Sequence, residues 1–251
     1  TRCCSLSFFT WGWMAKYTDC LITINNEDYK KVKSTFKAGR IVKVNGVGID
    51  INKFKPQTQK AKFALREKYG YNDHDFIMIY VAELSKRKNQ KQIIEALNLL
   101  KDRLANTRLL LVGDGPLVQS YKKMVVKLGL ENNVLFLGYR NDIPNLMVLS
   151  DVAISSSRQE GLPVNVMEAM ATGLPLIVAN SRGNRDLVRD GENGYVVELD
   201  KAEFLADAIE RLYSSKNQRQ TFGKRNLELI ERYSLPRVLK EMEAVYQKYL
   251  S

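Results

Sequence analysis

From residue 76 onward, short and almost unbroken apolar runs alternate with segments whose apolar positions recur at helical spacing. Residues 76–82 (FIMIYVA), 108–112, 134–137, 152–155, 176–179 and 195–197 are six strand candidates. Between them, Ile93, Ile94, Leu97, Leu100 and Leu104 fall on one helical stripe, and Leu117, Tyr121, Met124, Val125 and Leu128 on another. A short helix carries Ile143, Leu146 and Met147, and residues 164–172 form a further one. Strands without polar alternation are covered on both faces, as in a parallel sheet. Six such strand–helix units predict a doubly wound α/β domain over about residues 57–230. Ligands of such sheets sit beyond the carboxyl ends of the strands, which here carry residues 82–88, 113–116, 138–142, 155–163 and 180–186.

The first 56 residues break this rhythm. A strand at 21–25, a helix at 27–36 and a strand at 41–44 lead into the turn Asn45-Gly46-Val47-Gly48 and on to Lys55-Pro56. One βαβ piece buries little surface alone, so residues 1–56 read as the remnant of a second domain plus a linker, and 57–232 as the main domain. Helices are expected near 201–214, 217–232 and 236–249, with Pro236 in the first turn of the last. Residues 233–251 would pack back toward the N-terminal part.

Composition narrows the function classes. An apolar fraction of 45% and a charged fraction of 27% over 251 residues argue against whole-chain disorder or a coiled coil. The formal charge of +11 suits nucleic acid, acidic lipid or a phosphorylated small molecule without choosing among them. Three cysteines, two of them the adjacent Cys3 and Cys4, show no disulfide framework or metal-ligand spacing and read as a reduced, cytosolic chain. No apolar run approaches the ~18 residues of a membrane span. The aromatic stretch 1–15 lacks the charged start and cleavage site of a signal peptide; starting on Thr1, it reads as a surface once covered in a larger protein. No G-x-G-x-x-G follows the first strand of the main domain, against a dinucleotide dehydrogenase. A basic nucleic-acid-binding α/β protein without catalytic activity stays as the alternative, though its lysines are scattered and no RNP, helix-turn-helix or finger pattern occurs.

The chemistry concentrates between Ser155 and Pro175. A strand ends, a loop carries Glu160 and Gly161, and Pro163 suits the first helical position. Backbone N–H groups of about residues 161–165 would then be unpaired at the positive end of the helix, a ready phosphate site. Glu168, one turn inside, could accept two hydrogen bonds from a ribose diol, and Glu160 would hang over the mouth beside a sugar hydroxyl. The plainer alternative makes Glu168 a solvated helix residue and Glu160 a loop charge. Val164, Met167 and Ala171 mark this helix as facing the sheet, where a charge needs a reason.

These residues resemble the retaining glycosyltransferases of family 4, of the bacterial capsular and exopolysaccharide type, with the GT-B fold of two facing Rossmann-like domains. Glu160 and Glu168, with the EGLP and EAMATGLP text around them, are similar to that family's E-x7-E motif. Asn45–Asp50 with Phe54 is similar to its interdomain segment, Leu84-Ser85 with Lys88 to its donor-phosphate loop, and Leu111–Pro116 to its VGDGP turn. The resemblance runs from about residue 17 to the C-terminus. It implies transfer of a hexose-type sugar from a nucleotide-diphosphate sugar, UDP favoured, to a lipid-linked or polysaccharide acceptor with retention. It assigns Lys88 to the diphosphate, the N–H groups of Gly161, Leu162 and Val164 around Pro163 to the distal phosphate and sugar, Glu168 to the ribose and Glu160 to a sugar hydroxyl. Glu160 and Lys88 are thus the candidate catalytic residues. Gly113 would line the donor site, and Tyr139 and Arg140 would flank the base. For Lys88 a solvated role, for Gly113 and Gly115 a plain turn, and for Tyr139 a packing role stay open. No general base is visible; the departing phosphate would take the proton.

Two departures stand out. Glu83 occupies the place of the family's usual arginine, five residues before Lys88, so Arg87 or Lys86 would supply that charge. Ser181–Asp186 replaces a glycine–x–glutamate region and brings Arg182 and Arg185 to the same crevice. The resemblance further implies an acceptor-binding N-terminal domain not contained in these residues, little activity for the chain alone, no nucleic-acid partner, and a peripheral place at the inner face of the cytoplasmic membrane. Asp73-His74-Asp75 spells a D-x-D but precedes a strand, at the amino end of the sheet, and reads as a turn. No metal or other cofactor is expected, because a helix start and Lys88 can neutralise the diphosphate.

Overall fold

The computed structural model describes residues 14–249; Cys3, Cys4 and the aromatic start up to Trp13 lie outside the described residues. The chain divides into two compact units, one ending at Gly48 and resuming at Arg232, the other spanning Ile49–Glu231.

In the smaller unit, β1 (Cys20–Thr23) and β2 (Arg40–Lys43) pair in parallel around α1 (Asn26–Thr35). The first strand stops short of the expected residue 25 because Asn25 caps the helix instead: its Oδ1 accepts from the Asp28 N–H at 2.7 Å. The last helix, here called α10 (Leu235–Tyr246), belongs to the same unit. Its Glu241 carboxylate accepts from the Asn45 backbone N–H at 2.9 Å and from the Asn45 side chain at 2.8 Å.

The larger unit is a six-stranded, wholly parallel sheet. Its strands are β3 (Phe76–Val81), β4 (Thr107–Val112), β5 (Val134–Gly138), β6 (Val152–Ser155), β7 (Leu176–Ala179) and β8 (Gly194–Val197). They lie in the order β5-β4-β3-β6-β7-β8. This is the doubly wound, Rossmann-like order: the chain steps outward in one direction from β3, then returns to build β6 on the other side. All six strand expectations are met within one residue at each end. Helices α3 (Gln90–Leu100), α4 (Val118–Leu128), α5 (Ile143–Leu149), α6 (Val164–Ala171), α8 (Ala202–Ser214) and α9 (Lys216–Ile230) follow the anticipated periodicity. The stripe Ile93, Ile94, Leu97 and Leu100 of α3 is at most 1% exposed and shares one core cluster with Leu205, Ile209 and Leu212 of α8. Each such side chain contributes about 1.5–3 kcal/mol of burial free energy.

Two helices were not anticipated. α2 (Gln59–Lys68) has four basic residues and a weak apolar stripe, so its periodicity is faint; Thr58 caps it by accepting from the Ala61 N–H at 3.2 Å. α7 (Arg182–Leu187) is too short for a pattern to emerge.

The loops at the carboxyl ends are knit by backbone contacts that tolerate no side chain. Gly113 has φ +135°, and a Cβ there would stand 2.2 Å from the Ala82 carbonyl oxygen. Gly115 has φ +157°, with a Cβ position 2.5 Å from the Leu84 oxygen. The Leu84 N–H donates to the Asp114 carbonyl at 2.9 Å, and the Leu117 N–H to the Leu84 carbonyl at 3.0 Å. Gly113→Ala is therefore expected to destabilise the protein by roughly 2–3 kcal/mol, because backbone must move to admit the methyl. A melting temperature unchanged from the parent would contradict this reading of the turn.

Candidate active site

The strand order reverses between β3 and β6, and a crevice opens at such a point beyond the carboxyl ends. The loops after these two strands are joined directly. Arg158 N–H donates to the Arg87 carbonyl at 2.9 Å, and the Ser156 hydroxyl to the carbonyls of Lys88 (3.0 Å) and Asn89 (2.9 Å). The buried Tyr80 hydroxyl meets Ser157 Oγ at 2.7 Å, and burial pushes its phenol pKa upward. Lys88 and Glu160 thus sit on one stitched platform at the switch point.

Pro163 is the N-cap of α6, with extended angles (φ −75°, ψ 115°), not its first helical residue as expected. Its carbonyl accepts the first helical bond, from Met167 N–H at 3.2 Å. The N–H groups of Val164, Asn165 and Val166 precede that bond and mark the positive end of the helix. Leu162 and Pro163 are buried, whereas Val164 is 40% exposed. The core face of α6 is set instead by Val166, Met167 and Met170, so Val164 was misjudged as facing the sheet. It lies in the first turn, where the chain still emerges from the loop. The start of α7 closes on this loop: a Cβ at Gly183 would stand 2.5 Å from the Gly161 oxygen, and Arg182 Nε donates to the Glu160 carbonyl at 2.9 Å.

Glu160 does not hang over the mouth. It is 7% exposed, and its carboxylate holds Lys88 Nζ at 2.5 Å with Arg87 3.6 Å away on its other oxygen. A carboxylate this buried needs cationic partners, and the loop stitching brings two to it. Lys88, the expected diphosphate ligand, is thereby engaged by a protein carboxylate.

Glu168 is the contrasting acid. It sits one turn inside α6, and Cα–Cβ bonds lean toward the start of a helix. Among the described residues its carboxylate has no hydrogen bond or ion pair. Burial raises its pKa to about 7, partly offset by the charge of Lys53. The carboxylate expected to accept from the ribose is therefore only partly ionised near neutrality. Lys53 is a contributor that sequence reasoning passed over as linker; its only signal was its place beside Phe54 in the NGVG…F segment. Glu168 is neutral in folded and unfolded states below pH 4.5, and folding loses stability as pH rises from there toward 7. At one pKa unit per 1.36 kcal/mol the loss is about 3 kcal/mol at most, and less because the group is partly solvated. Glu168→Gln is expected to stabilise the ligand-free protein by roughly 1–2 kcal/mol at pH 8 and by nothing at pH 4; equal effects at both would contradict it.

Tyr139 is 83% exposed at the end of β5 and touches no core. Arg140 pairs with Asp142 at 2.6 Å, and Asp142 also accepts from the Tyr69 hydroxyl. The hydrogen bonds from Arg140 and then Tyr69 hold the Asp142 carboxyl at about 2. Gly113 has a packing reason for being glycine, given above. Glu83 is exposed, and its carbonyl accepts from Gln90 at 2.8 Å. The D-x-D lies before β3: Asp75 accepts from Asn72 N–H at 2.9 Å and faces Arg108 at 3.7 Å. Among the described residues no group of three or more His, Cys, Asp or Glu is placed to hold a metal ion. A set of buried polar atoms also gathers at the carboxyl strand ends. Ser85 Oγ, Ser155 Oγ, Ser181 Oγ and Asn184 Oδ1 have no hydrogen-bond partner among the described residues, an arrangement that asks for a bound ligand or water.

A doubly wound sheet with an open helix start and convergent charges at its switch point is the Rossmann-like architecture that holds nucleotides and other phosphate-bearing ligands. The chain belongs to the family of glycosyl transferases group 1, which it matches over residues 61–228. It is 40% identical over 239 residues to the putative glycosyltransferase EpsD of Bacillus subtilis, covering 95% of this chain and 63% of that protein. It is 33% identical over 207 residues to a UDP-Gal:alpha-D-GlcNAc-diphosphoundecaprenol alpha-1,3-galactosyltransferase of Escherichia coli, covering 80% of this chain and 53% of that one. In fold it superposes on Anabaena HepE in complex with UDP with TM-score 0.86 at 24% identity, over 94% of this chain and 65% of that one. The chain thus spans between about half and two-thirds of the length of these proteins. Its larger unit is the Rossmann-like half of a GT-B glycosyltransferase fold.

Proposed function

We propose that the chain carries the donor site of a retaining glycosyltransferase that takes a hexose-type sugar from a nucleotide diphosphate, UDP favoured, to a lipid-linked or polysaccharide acceptor. The observation that carries this reading is the placement of Lys88, Glu160, the start of α6 and Glu168 around one switch point. Its support from outside the chain is the family, the UDP-bound HepE fold, and the UDP-galactose and diphosphoundecaprenol named for the Escherichia coli relative.

In this reading the diphosphate enters against the N–H groups of Val164–Val166 and draws Lys88 from Glu160 toward itself. Gly161, Leu162 and Pro163 shape the backbone beside the distal phosphate. Glu168 accepts from the ribose hydroxyls, and Tyr139 and Arg140 border the base. Positive charge developing at the anomeric carbon is met by the Glu160 carboxylate, and charge on the leaving diphosphate by Lys88 and the helix start. The departing phosphate oxygen takes the acceptor proton. No metal or other cofactor has a part in this scheme. Among the described residues no helix is long and apolar enough to cross a membrane; a peripheral place at the inner membrane face belongs to the proposal.

Calorimetry with UDP, GDP and ADP tests the donor site. UDP is expected to bind, and Glu168→Gln to weaken it by 10- to 100-fold, since hydrogen bonds to a charged group contribute about 1.5–3 kcal/mol. Ribose hydroxyls favour the ionised carboxylate, so affinity should rise between pH 6 and 8 in the parent more than in the variant. Ionisation of the ligand's own phosphate cancels in that comparison. Oligonucleotides binding where all three nucleotides fail would favour the nucleic-acid alternative. Retention is tested by the anomeric configuration of the product by NMR; inversion would refute it.

A further inference from the structure

At the opposite end of the sheet, before β3, β6 and β7, lies a second cavity of about 730 Å³. Small-molecule sites fall at about 300–1,000 Å³. Its walls come from α2, the turns before β6 and β7, and α9, all within the larger unit. Five cations line it, Lys62, Arg66, Lys216, Arg219 and Lys224, against two carboxylates, Asp73 and Asp151.

Asp151 cannot balance them. One of its oxygens takes Lys62 Nζ at 2.7 Å; the other takes Arg66 Nη2 at 2.7 Å and the Ile77 N–H at 2.8 Å. Asp73 is exposed and has no ion pair among the described residues. Arg219 hydrogen-bonds only through Nη1, which caps the carbonyls of Leu212 and Tyr213 at the end of α8, and its guanidinium lies over the Phe76 ring, 5.5 Å from the centroid. A guanidinium has five N–H donors, and those on Nε and Nη2 donate to nothing among the described residues. Lys216 and Lys224 are exposed and likewise without an ion pair among them. Lys216, Arg219 and Lys224 all come from α9 and line the cavity together. That helix is held in place: a Cβ at Gly223 would stand 2.2 Å from the Gly173 oxygen. Five cations against two carboxylates leave the cluster short of negative charge, and burial first, then Arg66 and Arg219, lower the Lys62 pKa against the pull of Asp151.

We infer that this cavity is a second anion site, separate from the switch-point crevice, which takes a phosphate-bearing ligand through Arg219, Lys216 and Lys224. Phosphate suits it because a fork of guanidinium donors and two mobile ammonium groups match a multiply charged oxyanion. The source is either a soluble phosphorylated compound or a phospholipid headgroup. The inference does not rest on the donor site, whose residues follow the carboxyl ends of the strands.

The test compares the full chain with two double variants, Lys216→Gln with Lys224→Gln, and Lys123→Gln with Lys127→Gln as a charge-matched control on α4. All four lysines are exposed, so each variant should keep its ligand-free melting temperature. Pyrophosphate is titrated by calorimetry with UDP present at saturation, and phosphatidylglycerol vesicles are co-sedimented. A loss of pyrophosphate affinity of tenfold or more in the first variant and not in the control assigns a soluble ligand. The same loss in vesicle binding alone assigns a headgroup. No difference between the variants in either measurement overturns the inference.

Discussion

Replacing Lys88 by alanine is expected to weaken UDP binding by about a hundredfold. A charge-assisted hydrogen bond to a phosphate contributes about 1.5–3 kcal/mol, the equivalent of 10- to 150-fold. The variant also loses more than one contact. Glu160 is 7% exposed and would keep only Arg87, 3.6 Å away, as a cation. An incompletely paired carboxylate would then stand beside the incoming diphosphate and repel it. Adding Glu160→Gln to Lys88→Ala should therefore restore part of the lost affinity, so the two substitutions are non-additive. Strictly additive losses would mean that the ion pair and the diphosphate do not compete for the same ammonium group.

Asp151→Ala should produce the largest loss of stability, about 3–5 kcal/mol. The carboxylate, 14% exposed, lies between Lys62 and Arg66 and also accepts the Ile77 N–H. Burial opposes its charge, but Lys62 and Arg66 outweigh that and hold its carboxyl below the usual value. Removing one partner of a buried charge cluster leaves the others uncompensated, which is what makes such losses large. For a unit of this size, each kcal/mol lowers the melting temperature by about 2–4 °C, so a fall of roughly 10 °C is expected. Asp151→Asn, which keeps an acceptor for the Ile77 N–H, should lose less. Because this pKa is depressed, the contribution is present above pH 3.8 and fades as pH falls further. A drop of only a degree or two would mean that the cations reach water when the carboxylate is gone.

The sheet was legible because its signal is local. Runs such as FIMIYVA are apolar on both faces only in a covered parallel strand, and the α3 stripe can be read off as a period. The amphipathic helices were equally plain. α2 escaped because its place in the fold is fixed by Lys62 and Arg66 reaching Asp151 at the start of β6, 85 residues beyond Arg66, and no window of sequence displays that bond. At the site, the spacing of Glu160 and Glu168 and the helix start were visible, but their environments were not. Spacing alone makes Glu160 the open acid over the mouth and Glu168 the one that meets the ribose. The fold instead buries Glu160 among cations and leaves Glu168 half-buried without a partner, because Lys88 and Arg87 arrive from the loop after β3, more than 70 residues earlier. Charge partners that distant are properties of the topology, and strand-by-strand reading does not supply them.

A nucleoside diphosphate should dock on the start of α6 with its ribose on Glu168. A crystal structure with UDP bound tests it most directly. Phosphate oxygens are expected within about 3 Å of the N–H groups of Val164–Val166 and of Lys88 Nζ, with the Lys88–Glu160 pair opened, and ribose hydroxyls at hydrogen-bond distance from the Glu168 carboxylate. UDP held elsewhere, or held in the crevice with Glu168 untouched and Lys88 still on Glu160, would contradict it.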